Sequence, residues 1–143
     1  MDVSVAATED GAAEIALGDD KSVRVPKEPG QVGADKARVA EDGKTTGWLV
    51  MYKDLPSVSY PTSGKLVIWR GGKVLCRFDS EQVFYCWGFY AGGTQVAFHT
   101  GPLHGEQQSH RGLHDVATGR LIAKWDGDLD AGSGPPWTRV LDH

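Results

Sequence analysis

The chain has 143 residues, 24% of them charged and 40% hydrophobic, with a formal net charge of −4. That length holds one domain with a sizeable core, and the acidic balance offers no electrostatic attraction to nucleic acid or to an anionic membrane. Nineteen Gly and seven Pro mark many turns, the composition of an all-β chain, and no apolar run approaches the roughly 20 residues of a membrane-spanning helix.

Residues 1–13 are small and polar with no period and read as a loose terminus. They lack the basic and apolar regions of a signal peptide. A periplasmic or secreted protein whose signal lies outside this chain is the expectation, and a cytoplasmic one the alternative. Residues 14–26 form a hairpin in which Ile15 and Leu17 precede Gly18-Asp19-Asp20, and Val23 and Val25 alternate with Ser22 and Arg24. Pro26, Pro29, Gly30 and Gly33 make a connector. A short strand over 36–40 and a turn over 41–44 lead to TTGWLVMY at 45–52, a strand buried on both faces.

Residues 54–64 are a long loop carrying Tyr60. The run Leu66 to Trp69, then Gly71-Gly72, then the run Lys73 to Phe78 is a hairpin, because Gly-Gly lets both turn residues take φ > 0. After polar residues 79–82, VFYCWGFY at 83–90 is the most aromatic stretch. A Gly turn, a strand over 95–100 and a second long loop over 101–112 follow. A second hairpin then turns at 115–119, and residues 128–143 form a tail.

The chain repeats itself. Gly72 to Asp79 matches Gly119 to Asp126 in residue type at an offset of 47 residues, and Asp42-Gly43-Lys44 aligns with Gly92-Gly93-Thr94. Residues 36–79 and 83–127 are therefore two copies of one four-stranded antiparallel meander, the size of a propeller blade. The expected fold is all-β: these two blade-like repeats plus the 14–26 hairpin, packed as a compact two-sheet domain over residues 1–143. Trp69, Leu75, Phe78, Phe98, Ile122 and Trp125 are its expected core.

The string Asp115-Val116-Ala117-Thr118-Gly119 followed by an apolar strand, with the Asp42-Gly43-Lys44 turn, resembles WD-repeat-like and TolB-like bacterial β-propeller blades. The arrangement also resembles that of exported bacterial proteins of uncharacterised function with a His/Gly-rich loop before the same turn. The resemblance covers residues 36–127 and implies a repeat scaffold, with no activity attached. Propellers close with four to eight blades, so assembly of chains is an alternative to the compact domain.

His99, His104, His110 and His114 crowd one loop and its flanking strands. Neutral imidazoles hold zinc or copper, and a meander brings His99 toward His114 across the ladder. The alternative is a polar surface loop without metal and a protein with no cofactor. Cys76 and Cys86 are symmetric about Glu81, so a hairpin there sets them opposite one another, as a disulfide needs; two small buried hydrophobes are the other reading. Tyr52, Tyr60, His104, Glu106 and His110 are the candidate contacts for an unknown protein or small ligand, because loops on one edge of a repeat scaffold carry recognition. Neither a nucleophile elbow nor a phosphate-cradling loop occurs. The expectation is a non-catalytic binding or interaction module, with a metal-binding protein or metal-dependent enzyme using residues 99–114 as the alternative.

Overall fold

The computed structural model describes residues 3–18, 20–53, 59–102, 109–126 and 134–141. Eleven strands lie among them, in three antiparallel sheets whose strand order follows the chain. The first sheet holds β1 (Ser4–Ala7), β2 (Ala13–Gly18) and β3 (Lys21–Val25). The second holds β4 (Gln31–Val39), β5 (Thr46–Tyr52), β6 (Thr62–Arg70) and β7 (Lys73–Asp79). The third holds β8 (Val83–Tyr90), β9 (Gln95–Gly101), β10 (His110–Asp115) and β11 (Leu121–Lys124). The chain is all-β as expected, and its second and third sheets are the two four-stranded units.

Local sequence explains the turns. Gly71 and Gly72 both have positive φ, 64° and 91°, and join Arg70 to its cross-strand partner Lys73. Asp115 accepts hydrogen bonds from the Thr118 amide and hydroxyl, each at 2.8 Å. Asp42 does the same work in the second sheet, accepting from the Lys44 and Thr45 amides at 2.9 and 2.8 Å. The repeat extends to irregularities. Leu75 is skipped between the pairs Ile68–Cys76 and Trp69–Val74, and Ile122, its equivalent, is skipped between Leu113–Ala123 and His114–Leu121.

The second sheet is the middle layer. On one face Trp48, Val50, Val67 and Trp69 pack against Ala13, Ile15 and Val25 of the first sheet. On the other, Leu49, Leu66, Ile68 and Phe78 meet Phe84, Trp87, Val96 and Phe98 of the third. Residues of successive parity thus serve two cores, which is why 45–52 reads as one continuous apolar run. The outer face of the first sheet is polar or small, with Glu14, Ala16, Ser22 and Arg24 exposed. The outer face of the third carries Cys86, Ala97 and Leu113, and a 3-10 helix at Pro136–Leu141 covers it with Trp137 and Leu141. Gly88 lets this helix approach, since a Cβ there would lie 3.0 Å from Val140 Cβ.

Several expectations need correction. Ser4–Ala7 is a strand paired with β2, from Ser4 against Ala16 to Ala7 against Ala13, within the stretch read as a loose terminus. β4 starts at Gln31, inside the stretch read as a connector. The tail contributes a core element. Trp69, Phe78 and Phe98 are buried, whereas Leu75 and Trp125 are half-buried and Ile122 is 48% exposed. Leu75 packs on the core between the second and third sheets; among the described residues its counterpart Ile122 joins neither that core nor the cluster under the 3-10 helix.

Cys76 and Cys86 form no disulfide. The segment between them is a crossover from the second sheet to the third, so Cys76 pairs with Ile68 and Cys86 with His99. Tyr85 is the extra residue of a bulge between Phe84–Thr100 and Cys86–His99. The bulge lets Phe84 and Trp87, three apart, face the second sheet together and turns Cys86 to the far side. Cys76 packs into the core between the sheets, so the third sheet stands between the two thiols. Burial raises the Cys76 thiol to about 11.

Candidate functional site

The ends of β5, β7 and β9 and the starts of β6, β8 and β10 share one edge of the stack. Ser63 at the start of β6 donates to the Phe84 carbonyl at the start of β8, 2.6 Å away, and Val83 pairs with Gly101. Both long loops leave from this edge. Residues 54–58 and 103–108, including His104 and Glu106, lie outside the described residues.

An open groove of about 610 Å³ starts at this edge between the second and third sheets and extends along β10 to His114. The crossover from Phe78 to Gln82 forms one wall, and Thr100, His110 and His114 form the other, with Phe98 at the base. Tyr60 lines a separate depression of about 210 Å³ with Met51 and Tyr85. Tyr60 is 54% exposed, and the Tyr85 hydroxyl donates to the Pro102 carbonyl. Tyr52 instead packs on the core between the first and second sheets. A third cleft, apolar and about 410 Å³, sits at the opposite edge and is lined by Leu17, Val23 and Trp69.

The strand register divides the histidines. Along β10, His110 pairs with Thr100, Gly112 with Phe98 and His114 with Val96, so His110 and His114 share the face turned to the groove. His99 pairs with Arg111 and, two residues from Ala97, points to the outer face, its ring 5.4 Å from that of Tyr85. The expected meeting of His99 with His114 across the ladder does not occur: one strand step separates their faces. Among the described residues no three His, Cys, Asp or Glu side chains gather closely enough to hold a metal ion.

His110 and His114 do converge, with ring centroids 5.9 Å apart. Gly112, between them on the same face, makes this possible. A Cβ there would collide with His110 Nε2 and lie 3.1 Å from His114 Nε2. Phe98 stacks on His114 at 4.6 Å and 13°, and Phe78 meets its edge at 5.1 Å. His114 Nδ1 donates to the Gly119 carbonyl at 3.2 Å. The carbonyl can only accept, so Nε2 carries the lone pair; that atom is buried and has no hydrogen-bond partner among the described residues. The alternation in HRGLHD was the legible signal for this pair.

Burial lowers the pKa of His99, His110 and His114 below the ordinary 6.5. The folded protein therefore binds fewer protons than the unfolded chain below about pH 6.5. This contribution to stability is fully present above that value and is lost as pH falls through the folded pKa values. The urea midpoint is expected to fall between pH 7 and pH 5, less steeply in His99→Gln; parallel curves for the two proteins would show that His99 is not held neutral by the fold.

Arg77 and Lys65 anchor the connector before β4 to the second sheet. Both donate to Glu28 Oε1, at 2.7 and 3.1 Å, and Lys65 also reaches Asp79 at 3.3 Å. Among the described residues no helix is long and apolar enough to cross a membrane. No protein-family model matches the chain, and no curated protein sequence matches it.

Proposed function

We propose that the protein is a non-catalytic binding module of blade-like β repeats, and that it takes an extended peptide segment of a partner protein in the groove between the second and third sheets. The observation that carries this reading is the groove itself: about 610 Å³, open to solvent, with aromatic residues below and charged and imidazole groups on its walls. An apolar base with a few convergent polar groups suits a peptide backbone and alternate side chains. The resemblance to propeller blades supports it, because sheets stacked face to face in chain order present their loops on common edges. The polar outer face of the first sheet and the helix-covered outer face of the third favour a stack of three over continued repetition.

The test is selection of a displayed random-peptide library on the whole chain in EDTA. Enriched peptides are expected to bind about tenfold more weakly, roughly 1.4 kcal/mol, when His110→Ala or the exposed pair Asp79→Lys and Glu81→Lys is introduced. Lys73→Glu and Arg120→Glu, at the tight-turn edge, are expected to leave binding unchanged. Absence of enrichment, or peptides that depend on Lys73 or the Trp69 cleft instead, would overturn the groove.

A further inference from the structure

We propose that His110 and His114 bind a divalent transition-metal ion of the imidazole-binding class, zinc or copper, through their Nε2 atoms in the space that Gly112 leaves open. Three observations converge on it. The first is distance. With metal–nitrogen bonds of about 2.0–2.1 Å and an imidazole radius of about 1.1 Å, two rings on one ion have centroids roughly 4.5–6.5 Å apart. The observed separation is 5.9 Å.

The second is the tautomer. A metal-binding histidine donates its other ring N–H to a carbonyl or carboxylate, which fixes the ring and leaves the metal-facing nitrogen unprotonated. His114 does this through Nδ1 and the Gly119 carbonyl. The carbonyl belongs to the Asp115–Gly119 turn, whose shape Asp115 sets through Thr118, so the turn that ends β10 also orients the ligand.

The third is the orphaned lone pair. A buried acceptor without a partner is costly and uncommon, and among the described residues His114 Nε2 is one. The rings against His114 are those of Phe78, Phe98 and His110, and of these three only His110 has a polar side-chain atom. The His110 imidazole is aimed at the same space beside Gly112, so two ring nitrogens flank the one residue of the strand face that has no side chain. Imidazole binds a metal ion in its neutral form. Two protein donors leave coordination positions open toward the groove, where water or a donor atom of a bound segment completes the shell.

This inference deepens the groove reading and rests on it only for what fills the open positions. Zinc chloride alone is the probe, titrated into the metal-free whole chain by calorimetry, with imidazole nitrogens followed by NMR. Micromolar binding is expected, with the Nε2 signals of His110 and His114 shifting together and that of His99 unmoved. His110→Gln, His114→Gln and Gly112→Ala are each expected to weaken zinc at least about tenfold. Gly112→Ala keeps both imidazoles, so its loss reports the space between them; His99→Gln retains wild-type affinity. Binding weaker than about 1 mM, undiminished binding in His114→Gln, or zinc-dependent shifts at His99 instead of the pair would overturn the site. If a variant fails to fold, the wild-type NMR titration decides alone. Because the peptide selection is done in EDTA, a failed zinc titration leaves the groove standing, and a failed selection leaves the zinc result readable.

Discussion

Replacing Trp87 by Ala is expected to lower stability by about 3–5 kcal/mol, a large part of the 5–15 kcal/mol typical of a domain. Trp87 is fully buried between the second and third sheets. Its ring sits on the bare backbone of Gly47, where a Cβ would lie 2.7 Å from Cη2, and Phe89 packs against its edge at 5.0 Å. The indole nitrogen donates to the Lys36 carbonyl at 2.8 Å. Lys36 has φ of 50° and lies in the irregular stretch of β4 between Asp35 and Arg38, and its ammonium reaches back to the Tyr85 carbonyl at 2.7 Å. Removing the indole thus opens a cavity and strands a carbonyl. Trp87→Phe keeps most of the packing and is expected to cost far less. A urea midpoint in Trp87→Ala equal to the wild-type value would show that the two sheets do not meet there.

The second large effect is at the other end of the stack. Trp137→Ala is expected to cost about 3–5 kcal/mol as well. Trp137 is 5% exposed and packs with Leu141 over Cys86, Ala97 and Leu113. The Cys86 thiol donates to the Leu141 carbonyl at 3.5 Å. Loosening the helix should therefore make Cys86 accessible as well as shift the midpoint. Reaction of the native protein with a thiol reagent, read by mass, is expected to accelerate at Cys86 and not at Cys76. Unchanged Cys86 reactivity together with an unchanged midpoint would mean that the helix does not cover the third sheet in solution.

What the sequence disclosed was local. Gly71-Gly72 encodes its turn in two residues, and Asp115 to Gly119 encodes its own through short side-chain bonds. The repeat survives because both units need the same turns and the same bulge in their last strand. The failures depended on distant partners. Ser4–Ala7 has too little contrast to read as a strand; it becomes one because β2 lies beside it. Trp137 stands in a Gly/Pro-rich stretch without a period, and its burial depends on the apolar outer face of the third sheet. The spacing of Cys76 and Cys86 suits a hairpin, yet whether residues 79–82 fold back or cross to a new sheet is settled by what each strand can bury. At the candidate site, counting alternation from Ala97 puts His99 on the outer face, while the HRGLHD string places His110 and His114 together. The convergence of their rings needed the structure, since it depends on what surrounds Gly112.

Chain order and spatial order coincide in this stack, and that coincidence governs how it comes apart. The first and third sheets each share one intersheet core with the second, and the second shares both. Stability in such an arrangement is close to a sum over neighbours. The first sheet can detach as a cooperative unit while the contact between the second and third persists, exposing Trp48 and Trp69 without disturbing His110 or His114. Amides of β1–β3 would then exchange with solvent through partial openings, and those of β5 and β6 through openings closer to global unfolding. The groove is built on the second and third sheets alone, so its geometry would outlast the loss of the first.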